Sequence, residues 1–130
     1  MSTADPQLVL IAEDEDDTAR LIAYHLRRHG YASLIAHNGL AALNAVFAHK
    51  PSLVILDRMM PQMQGLEVCR LIKVSPAQQT PVLMVTAMAS TENKLEGFSC
   101  GADDYITKPF EMRELMARVT VLLRRARAEE

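Results

Sequence analysis

The sequence has no tryptophan, few aromatic residues and only two cysteines, and each scarcity excludes a class of protein. Aromatic residues make up 5% of the 130 residues and hydrophobic residues 49%, so a core must be built from aliphatic side chains. That composition excludes intrinsic disorder and collagen-like repeats. Cys69 and Cys100 are too few and too far apart for a disulfide scaffold or a four-ligand zinc site. We interpret them as reduced thiols of a cytoplasmic protein.

An excess of one charge, a long apolar run and a glycine-rich phosphate loop are also missing. Fourteen Lys and Arg against sixteen Asp and Glu give a formal charge of −2. This charge argues against a chain whose main role is to bind the phosphate backbone of a nucleic acid. The longest early apolar run, Leu8–Ala12, is too short for a signal-peptide core or a membrane span. Without a nucleotide phosphate loop, ATP is not expected as a direct substrate. The length allows one domain with a core, and not two.

Short continuous apolar runs alternate along the chain with amphipathic stretches of helical length. Continuous runs are typical of strands that are covered on both faces. They predict strands at Leu8–Ala12, Ala32–Ala36, Leu53–Leu56, residues 82–85 and residues 105–107. Helical spacing predicts helices over residues 18–29, 38–48, 66–74, 91–100 and 111–127. Because parallel neighbours need crossover connections, this alternation predicts a parallel sheet with helices on both faces.

The residues that follow the predicted strands are candidates for chemistry. In such a sheet, ligands bind beyond the carboxyl ends of the strands, near the point where the strand order reverses. The first strand runs into Glu13 and Asp14, the third into Asp57, the fourth into Thr86, and the fifth is followed by Lys108. Apolar strands that run into acids are unusual, since a carboxylate near a core costs free energy unless it has a partner.

Three carboxylates at one edge of a sheet would repel each other. If they lie within ~5 Å, each pair repels by roughly 3 kcal/mol at an effective dielectric constant of 20. Lys108 can offset one negative charge and a hard divalent cation the other two, and oxygen-only ligands favour Mg²⁺ (or Mn²⁺). Three carboxylates, one lysine and one divalent cation sum to zero formal charge. Such a site can accept a phosphoryl group, because the metal and the lysine neutralise its oxygens during transfer and the Thr86 hydroxyl can donate a hydrogen bond to one of them.

Each of these residues also has an ordinary structural interpretation. The acids at positions 13–17 can form a solvated turn that places negative charge at a helix N-terminus. Asp57 can cap a loop, Lys108 can be a surface lysine, and Thr86 can simply end a strand. For each residue alone the ordinary interpretation is favoured. An acid pair, a third acid, a hydroxyl and a lysine at four strand ends are together hard to assign to chance.

Four stretches of the sequence resemble a response-regulator receiver domain, the phospho-acceptor module of two-component signalling. They are LVLIAEDEDD, LVILDRMMPQMQG, PVLMVTA and GADDYITKPF. The resemblance implies a flavodoxin-like α/β fold: a doubly wound, five-stranded parallel sheet in the order 2-1-3-4-5, with five helices on both faces. It divides the chain into a flexible N-terminus (residues 1–7), a receiver domain (8–125) and a tail or linker start (126–130).

The same resemblance implies the chemistry of the site. Asp57 would accept a phosphoryl group from a sensor histidine kinase or a phosphotransfer protein, with Mg²⁺ (or Mn²⁺) as cofactor. The implied metal ligands are Glu13, Asp14, Asp57 and the backbone carbonyl of Met59. The implied phosphoryl contacts are Thr86, Lys108 and the backbone N–H of Ala87, and the bond from Lys108 to Pro109 would be cis. Two residues depart from the usual pattern: Glu13 replaces an Asp and would reach the metal through water, and Arg58 replaces an apolar residue.

The resemblance also implies a switch rather than catalytic turnover. Phosphorylation would draw Thr86 toward the phosphoryl group, and Tyr105 would turn inward into the vacated space. The phosphoryl group would be lost slowly to water, whose access Met59 and Met88 would govern. Residues 101–125 resemble receivers of winged-helix DNA-binding regulators, which form a phosphorylation-dependent homodimer through the fourth helix, fifth strand and fifth helix. The implied pairs between two chains are Lys94 with Glu114 and Asp104 with Arg118.

Three function classes stay open from the sequence. The first is a regulatory phospho-acceptor that controls transcription through a DNA-binding domain outside this chain, or alternatively a stand-alone receiver that acts by protein–protein contact. The second is an aspartyl phosphatase, which would normally carry a second Asp where Met59 stands. The third is a pseudo-receiver scaffold, which the intact Asp57, Thr86 and Lys108 argue against. A membrane partner is not expected.

Overall fold

A computed structural model describes residues 6–128 of the chain, which alternates strand and helix throughout. The strands are β1 (Leu8–Ala12), β2 (Ala32–Ala36), β3 (Leu53–Leu56), β4 (Val82–Thr86) and β5 (Asp104–Thr107). The helices are α1 (Asp16–Arg28), α2 (Gly39–His49), α3 (Gly65–Lys73), α4 (Thr91–Ser99) and α5 (Met112–Ala128). The observed strands lie within one residue of those expected from the apolar runs.

All strands are parallel, in the order β2-β1-β3-β4-β5. The α/β fold class and the strand order implied by the resemblance are therefore confirmed. The order reverses at β1, which pairs with β2 on one side and with β3 on the other. A crevice is expected at such a point beyond the carboxyl ends of the strands.

The apolar strands supply two separate cores because alternate side chains point to opposite faces of the sheet. In β1, for example, Val9 and Ile11 pack with α1 and α5, whereas Leu10 and Ala12 pack with α2 and α3. Helices thus cover both faces, as predicted. This division explains why the strands read as continuous rather than alternating apolar runs.

The last helix ends close to its expected position. Helical spacing predicted an end at residue 127, and α5 continues through Ala128. The domain boundary at residue 125 stays a prediction. Most of the predicted flexible N-terminus, residues 1–5, and residues 129–130 of the predicted tail lie outside the described residues. Within residues 6–128, no helix has the length and apolar character needed to cross a membrane.

Both cysteines are free thiols, as the sequence analysis proposed. Cys69 lies in the core that α2 and α3 cover, and its thiol donates to the backbone carbonyl of Cys100 at 3.4 Å. Burial raises the pKa of the Cys69 thiol to about 12. This cysteine is therefore protonated at neutral pH and packs as a small apolar residue.

The two-core arrangement predicts a large stability difference between buried and exposed leucines. Leu83 is fully buried in β4, so Leu83→Ala should lower the free energy of unfolding by about 2–5 kcal/mol. The matched control is Leu40→Ala in α2, where the side chain is 44% exposed, and its cost should stay below about 1 kcal/mol. Urea unfolding followed by circular dichroism measures both, and equal losses would contradict the assignment of the core.

Candidate functional site

The carboxyl ends of β1 and β3 place two acids side by side. Ala12 lies opposite Leu56 in the parallel register, so the next residues, Glu13 and Asp57, leave the sheet as neighbours. The backbone N–H of Asp57 donates to the carbonyl of Ala12 at 3.0 Å, and that of Glu13 to Ala36 at 3.0 Å. Both acids are buried. The sheet therefore fixes where these two side chains begin.

A third acid completes a carboxylate cluster at this edge. Glu13, Asp14 and Asp57 each offer an oxygen, and these oxygens all lie within 4.8 Å of one another. Asp14 is exposed, whereas the other two acids are buried. The backbone N–H of Met59 donates to Oδ1 of Asp57 at 3.0 Å. The cluster is thus buried on one side and open to solvent on the other.

Lys108 compensates the two buried acids. Its Nζ donates to Oε1 of Glu13 at 2.5 Å and to Oδ2 of Asp57 at 2.8 Å, and it also lies 3.4 Å from Oε1 of Glu15. Burial alone would lower the pKa of Lys108, but the hydrogen bonds from its ammonium to Asp57 and Glu13 raise that pKa above the usual value. The lysine is therefore positively charged at neutral pH.

The surroundings of Glu13 disfavour the charged form of its carboxyl group. Burial raises the pKa of Glu13, and the hydrogen bond from Lys108 offsets this only in part.

The backbone N–H of Lys108 donates to the Thr86 carbonyl at 2.9 Å, and the bond from Lys108 to Pro109 is cis. The backbone of Lys108 thus lies at the carboxyl ends of β4 and β5, and the Lys108 side chain reaches the acids that follow β1 and β3.

The donor set of the carboxylate cluster fits a hard divalent cation. All three side chains offer oxygen, and after the charge of Lys108 is counted, Glu13, Asp14 and Asp57 leave two negative charges. Two oxygens bound to the same Mg²⁺ at 2.0–2.1 Å can be at most about 4.2 Å apart. The spread of up to 4.8 Å therefore requires a small contraction or a bridging water, which exposed Asp14 and the long side chain of Glu13 both permit.

The segment after Asp57 turns back tightly on itself. The N–H of Gly65 donates to the backbone carbonyl of Arg58 at 2.8 Å. A Cβ at Gly65 would lie 2.2 Å from the backbone oxygen of Asp57 and 2.7 Å from Cα of Arg58. Only glycine fits this close backbone approach, so Gly65 closes the loop that carries the acid.

Thr86 and Tyr105 both hold the loop that follows β4. Thr86 is fully buried, and its Oγ1 accepts a hydrogen bond from the N–H of Met88 at 3.4 Å. The Tyr105 ring is buried and its hydroxyl donates to the Met88 carbonyl at 2.7 Å. Ala87, which lies between Thr86 and Met88 and directly follows β4, is exposed. The inward movement of Tyr105 on phosphorylation stays a prediction; its ring lies inward in this structure.

Arg58 occupies a position that the sequence analysis did not anticipate. Its side chain is buried beneath α4, where it donates to the Asn93 carbonyl at 2.8 Å. The unusual charge directly after the acid was visible in the sequence, but no local pattern indicates the direction of such a long side chain.

The residues expected to pair between two chains lie on one surface, and three of them pair within the chain. Arg118 in α5 donates twice to Asp104 in β5, at 2.8 and 3.0 Å, and once to Glu114 at 3.4 Å. Lys94 is exposed on α4. The intrachain pair forms because α5 passes beside the start of β5. Pairing between chains stays a prediction.

Comparisons with known proteins agree on one family. The family model described as the response regulator receiver domain matches residues 9–120. The chain is 43% identical over 117 residues to the response regulator ArlR of Staphylococcus haemolyticus, across 90% of this chain and 52% of that protein. It is 45% identical over 116 residues to the uncharacterized transcriptional regulatory protein YkoG of Bacillus subtilis, across 89% of this chain and 50% of that protein. The chain spans about half the length of these curated relatives.

Solved structures of receiver domains superpose closely on this fold. The receiver domain of Francisella response regulator 1452 has a TM-score of 0.87 at 34% identity and covers 92% of this chain and 98% of its own. The BeF₃-activated N-terminal receiver domain of Klebsiella pneumoniae RstA has a TM-score of 0.85 at 30% identity and covers 91% of this chain and 99% of its own. The similarity therefore extends over nearly the whole chain.

The geometry of the carboxylate cluster predicts stabilisation by Mg²⁺. A cation that binds the folded state alone, at 100 times its Kd, stabilises by about 2.7 kcal/mol. Asp14→Asn removes one charged ligand and should abolish most of the Mg²⁺-dependent rise in the thermal midpoint. The matched control is Asp17→Asn, which makes the same charge change outside the cluster and should keep the wild-type response. Thermal unfolding in Mg²⁺ and in a chelator measures both, and an equal rise in both variants would contradict the assignment.

Proposed function

This chain belongs to the response regulator receiver family of two-component signalling, and from that premise we propose that it accepts a phosphoryl group on Asp57. The donor would be the phosphohistidine of a sensor histidine kinase or of a phosphotransfer protein. The observation that carries the proposal is the buried Asp57 carboxylate, 2.8 Å from Lys108 within a cluster of three acids. A receiver of this kind is a regulatory domain rather than an enzyme.

The proposed transfer is a displacement at phosphorus. An oxygen of Asp57 forms the new O–P bond while the P–N bond to the donor imidazole breaks, and the imidazole nitrogen leaves with the bonding pair. Mg²⁺ held by Glu13, Asp14, Asp57 and the Met59 carbonyl would neutralise charge on the phosphoryl oxygens when bound. Lys108 pairs with the same carboxylate that reacts, so its ammonium can pass from an Asp57 oxygen to a phosphoryl oxygen with little movement.

The last residue of β4 and the residue after it would hold the remaining phosphoryl oxygens. The Thr86 hydroxyl and the backbone N–H of Ala87 are the proposed donors to these oxygens. Thr86 now accepts from the Met88 N–H, so its hydroxyl hydrogen is available to a phosphoryl oxygen.

The site favours a phospho-acceptor over a phosphatase. The residue two positions after Asp57 is Met59, and a thioether cannot act as a general acid. Met59 is largely exposed beside the acceptor, and with Met88 it would limit the access of water to the acyl phosphate. We therefore propose slow self-dephosphorylation, which makes the phosphoryl group a transient signal.

The proposed output is a change of the surface formed by α4, β5 and α5. Curated relatives of whose length this chain spans about half include proteins named as response regulators and transcriptional regulators. We propose that this receiver controls transcription through a DNA-binding domain outside the chain, after phosphorylation-dependent dimerisation. In the dimer, Lys94 would pair with Glu114 of the second copy, and Asp104 with Arg118. A stand-alone receiver that acts by protein contact is the alternative output.

Acetyl phosphate tests the acceptor directly. With Mg²⁺, the wild-type chain should gain one phosphoryl group by intact mass, and Asp57→Asn should gain none because its amide is not a nucleophile. Asp17→Asn, an exposed acid outside the cluster, is the matched control and should label like the wild type. Release of phosphate over many turnovers would instead indicate a phosphatase, and no adduct on the wild type would indicate a scaffold.

A charge-swap cycle tests the proposed dimer. Surface ion pairs contribute about 0.2–1 kcal/mol each, and a two-fold dimer contains each pair twice. Glu114→Lys should therefore weaken beryllofluoride-dependent dimerisation about tenfold, and adding Lys94→Glu should restore it. Glu111→Lys, at an exposed acid directly before α5, is the control and should dimerise like the wild type. Sedimentation measures all four proteins; a double variant no better than Glu114→Lys would contradict this pairing.

A further inference from the structure

Arg58 directly follows the proposed acceptor, and its side chain is buried. The residue is 6% exposed, which is rare for arginine because a charge withdrawn from water needs partners. Its backbone is shared with the acceptor segment: the peptide bond joins it to Asp57, and its carbonyl accepts from Gly65 at 2.8 Å. A shift of the Asp57 backbone is therefore also a shift of Arg58.

The guanidinium of Arg58 contacts two elements of the proposed output surface. One terminal nitrogen donates to the Asn93 carbonyl in α4 at 2.8 Å and lies 3.5 Å from the Tyr105 hydroxyl of β5. The other donates to Oε1 of Glu96 in α4 at 3.2 Å. Burial alone would lower the pKa of Arg58, but the hydrogen bonds to Tyr105 and Glu96 raise it above the usual value. The group is thus a charged bridge between these elements.

The helix that Arg58 contacts has few other anchors. Within α4, Gly97 is the single buried residue, whereas α1 buries Ala19, Ile22 and Leu26. Two large apolar side chains of α4 face solvent: Leu95 is 61% exposed and Phe98 46% exposed. Because α4 buries little apolar surface, polar contacts contribute a larger share of what holds it.

The one buried residue of α4 rests on the same tyrosine that Arg58 approaches. A Cβ at Gly97 would lie 2.8 Å from the ring of Tyr105, so the helix sits directly on that ring. The hydroxyl of Tyr105 in turn donates to the Met88 carbonyl at 2.7 Å, in the loop before α4. Arg58, Tyr105 and α4 therefore form one contact network that begins at the acceptor.

We propose that Arg58 is a positioning residue that ties α4 and Tyr105 to the acceptor segment. When Asp57 becomes phosphorylated, the change is transmitted to the surface of α4, β5 and α5 through the guanidinium of Arg58. This inference rests on the proposed function, because it assumes that Asp57 is the residue that becomes occupied. It adds a path that Thr86 does not provide, since Thr86 contacts the loop before α4 rather than the helix.

Amide hydrogen exchange of the full 130-residue chain, with and without beryllofluoride and Mg²⁺, tests the inference. In the wild type, beryllofluoride should change exchange across residues 88–100 by about tenfold. Arg58→Met keeps the length and packing but removes the hydrogen bonds, and should lose most of that response while still being labelled by acetyl phosphate. Arg58→Lys, which keeps the charge, should recover part of the response.

Two further variants keep the test informative if Arg58→Met folds poorly. Glu96→Gln removes the charged partner on α4 and should reduce the response. Glu92→Gln is the matched control, because it makes the same change at an exposed acid of the same helix and should respond like the wild type.

The outcomes separate this inference from the proposed function. If the wild type accepts no phosphoryl group from acetyl phosphate, the proposed function fails and the inference fails with it. If the wild type is labelled but Arg58→Met and Glu96→Gln keep its full response, the inference alone is overturned. A uniform rise in exchange that leaves the response to beryllofluoride intact shows a purely structural anchor and also overturns it.

Discussion

One ammonium group allows two buried carboxylates to lie side by side at the edge of an apolar core. Nζ of Lys108 lies 2.5 Å from Glu13 and 2.8 Å from Asp57. Without that positive charge, burial and mutual repulsion would favour protonation of one acid, and a protonated acid is a poor ligand for a cation. Because Lys108 follows β5 while the acids follow β1 and β3, the site exists only when the strands are assembled in this order.

The helices differ in how much apolar surface they bury against the sheet. Four helices bury apolar residues in the two cores, whereas α4 buries Gly97 alone. Elements that move are drawn from the less stable parts of a protein. The light packing of α4 therefore suits the proposed output surface, and the buried Arg58 gives that helix a direct polar connection to the acceptor segment.

Much of the acid site could be predicted because its residues share a position that sequence reveals. Glu13, Asp57 and Thr86 all end apolar runs, and parallel strands bring such ends to one edge of the sheet. Start points of elements were less accurate: the expected first helix began at residue 18, whereas α1 begins at Asp16, where acidic residues favour a helix N-terminus. The roles of the site residues and the dimer pairs stay predictions.

The sequence alone determined the alternation of strand and helix, the parallel sheet and the acids at its edge, since periodicity and strand ends are local properties of the chain. The order 2-1-3-4-5 came from resemblance to a family, and the structure confirmed it. Only the tertiary structure decided the contacts of long side chains. The guanidinium of Arg58 reaches Glu96, and Arg118 pairs with Asp104 inside one chain. Such contacts join residues far apart in sequence, and their partners depend on how whole helices dock against the sheet.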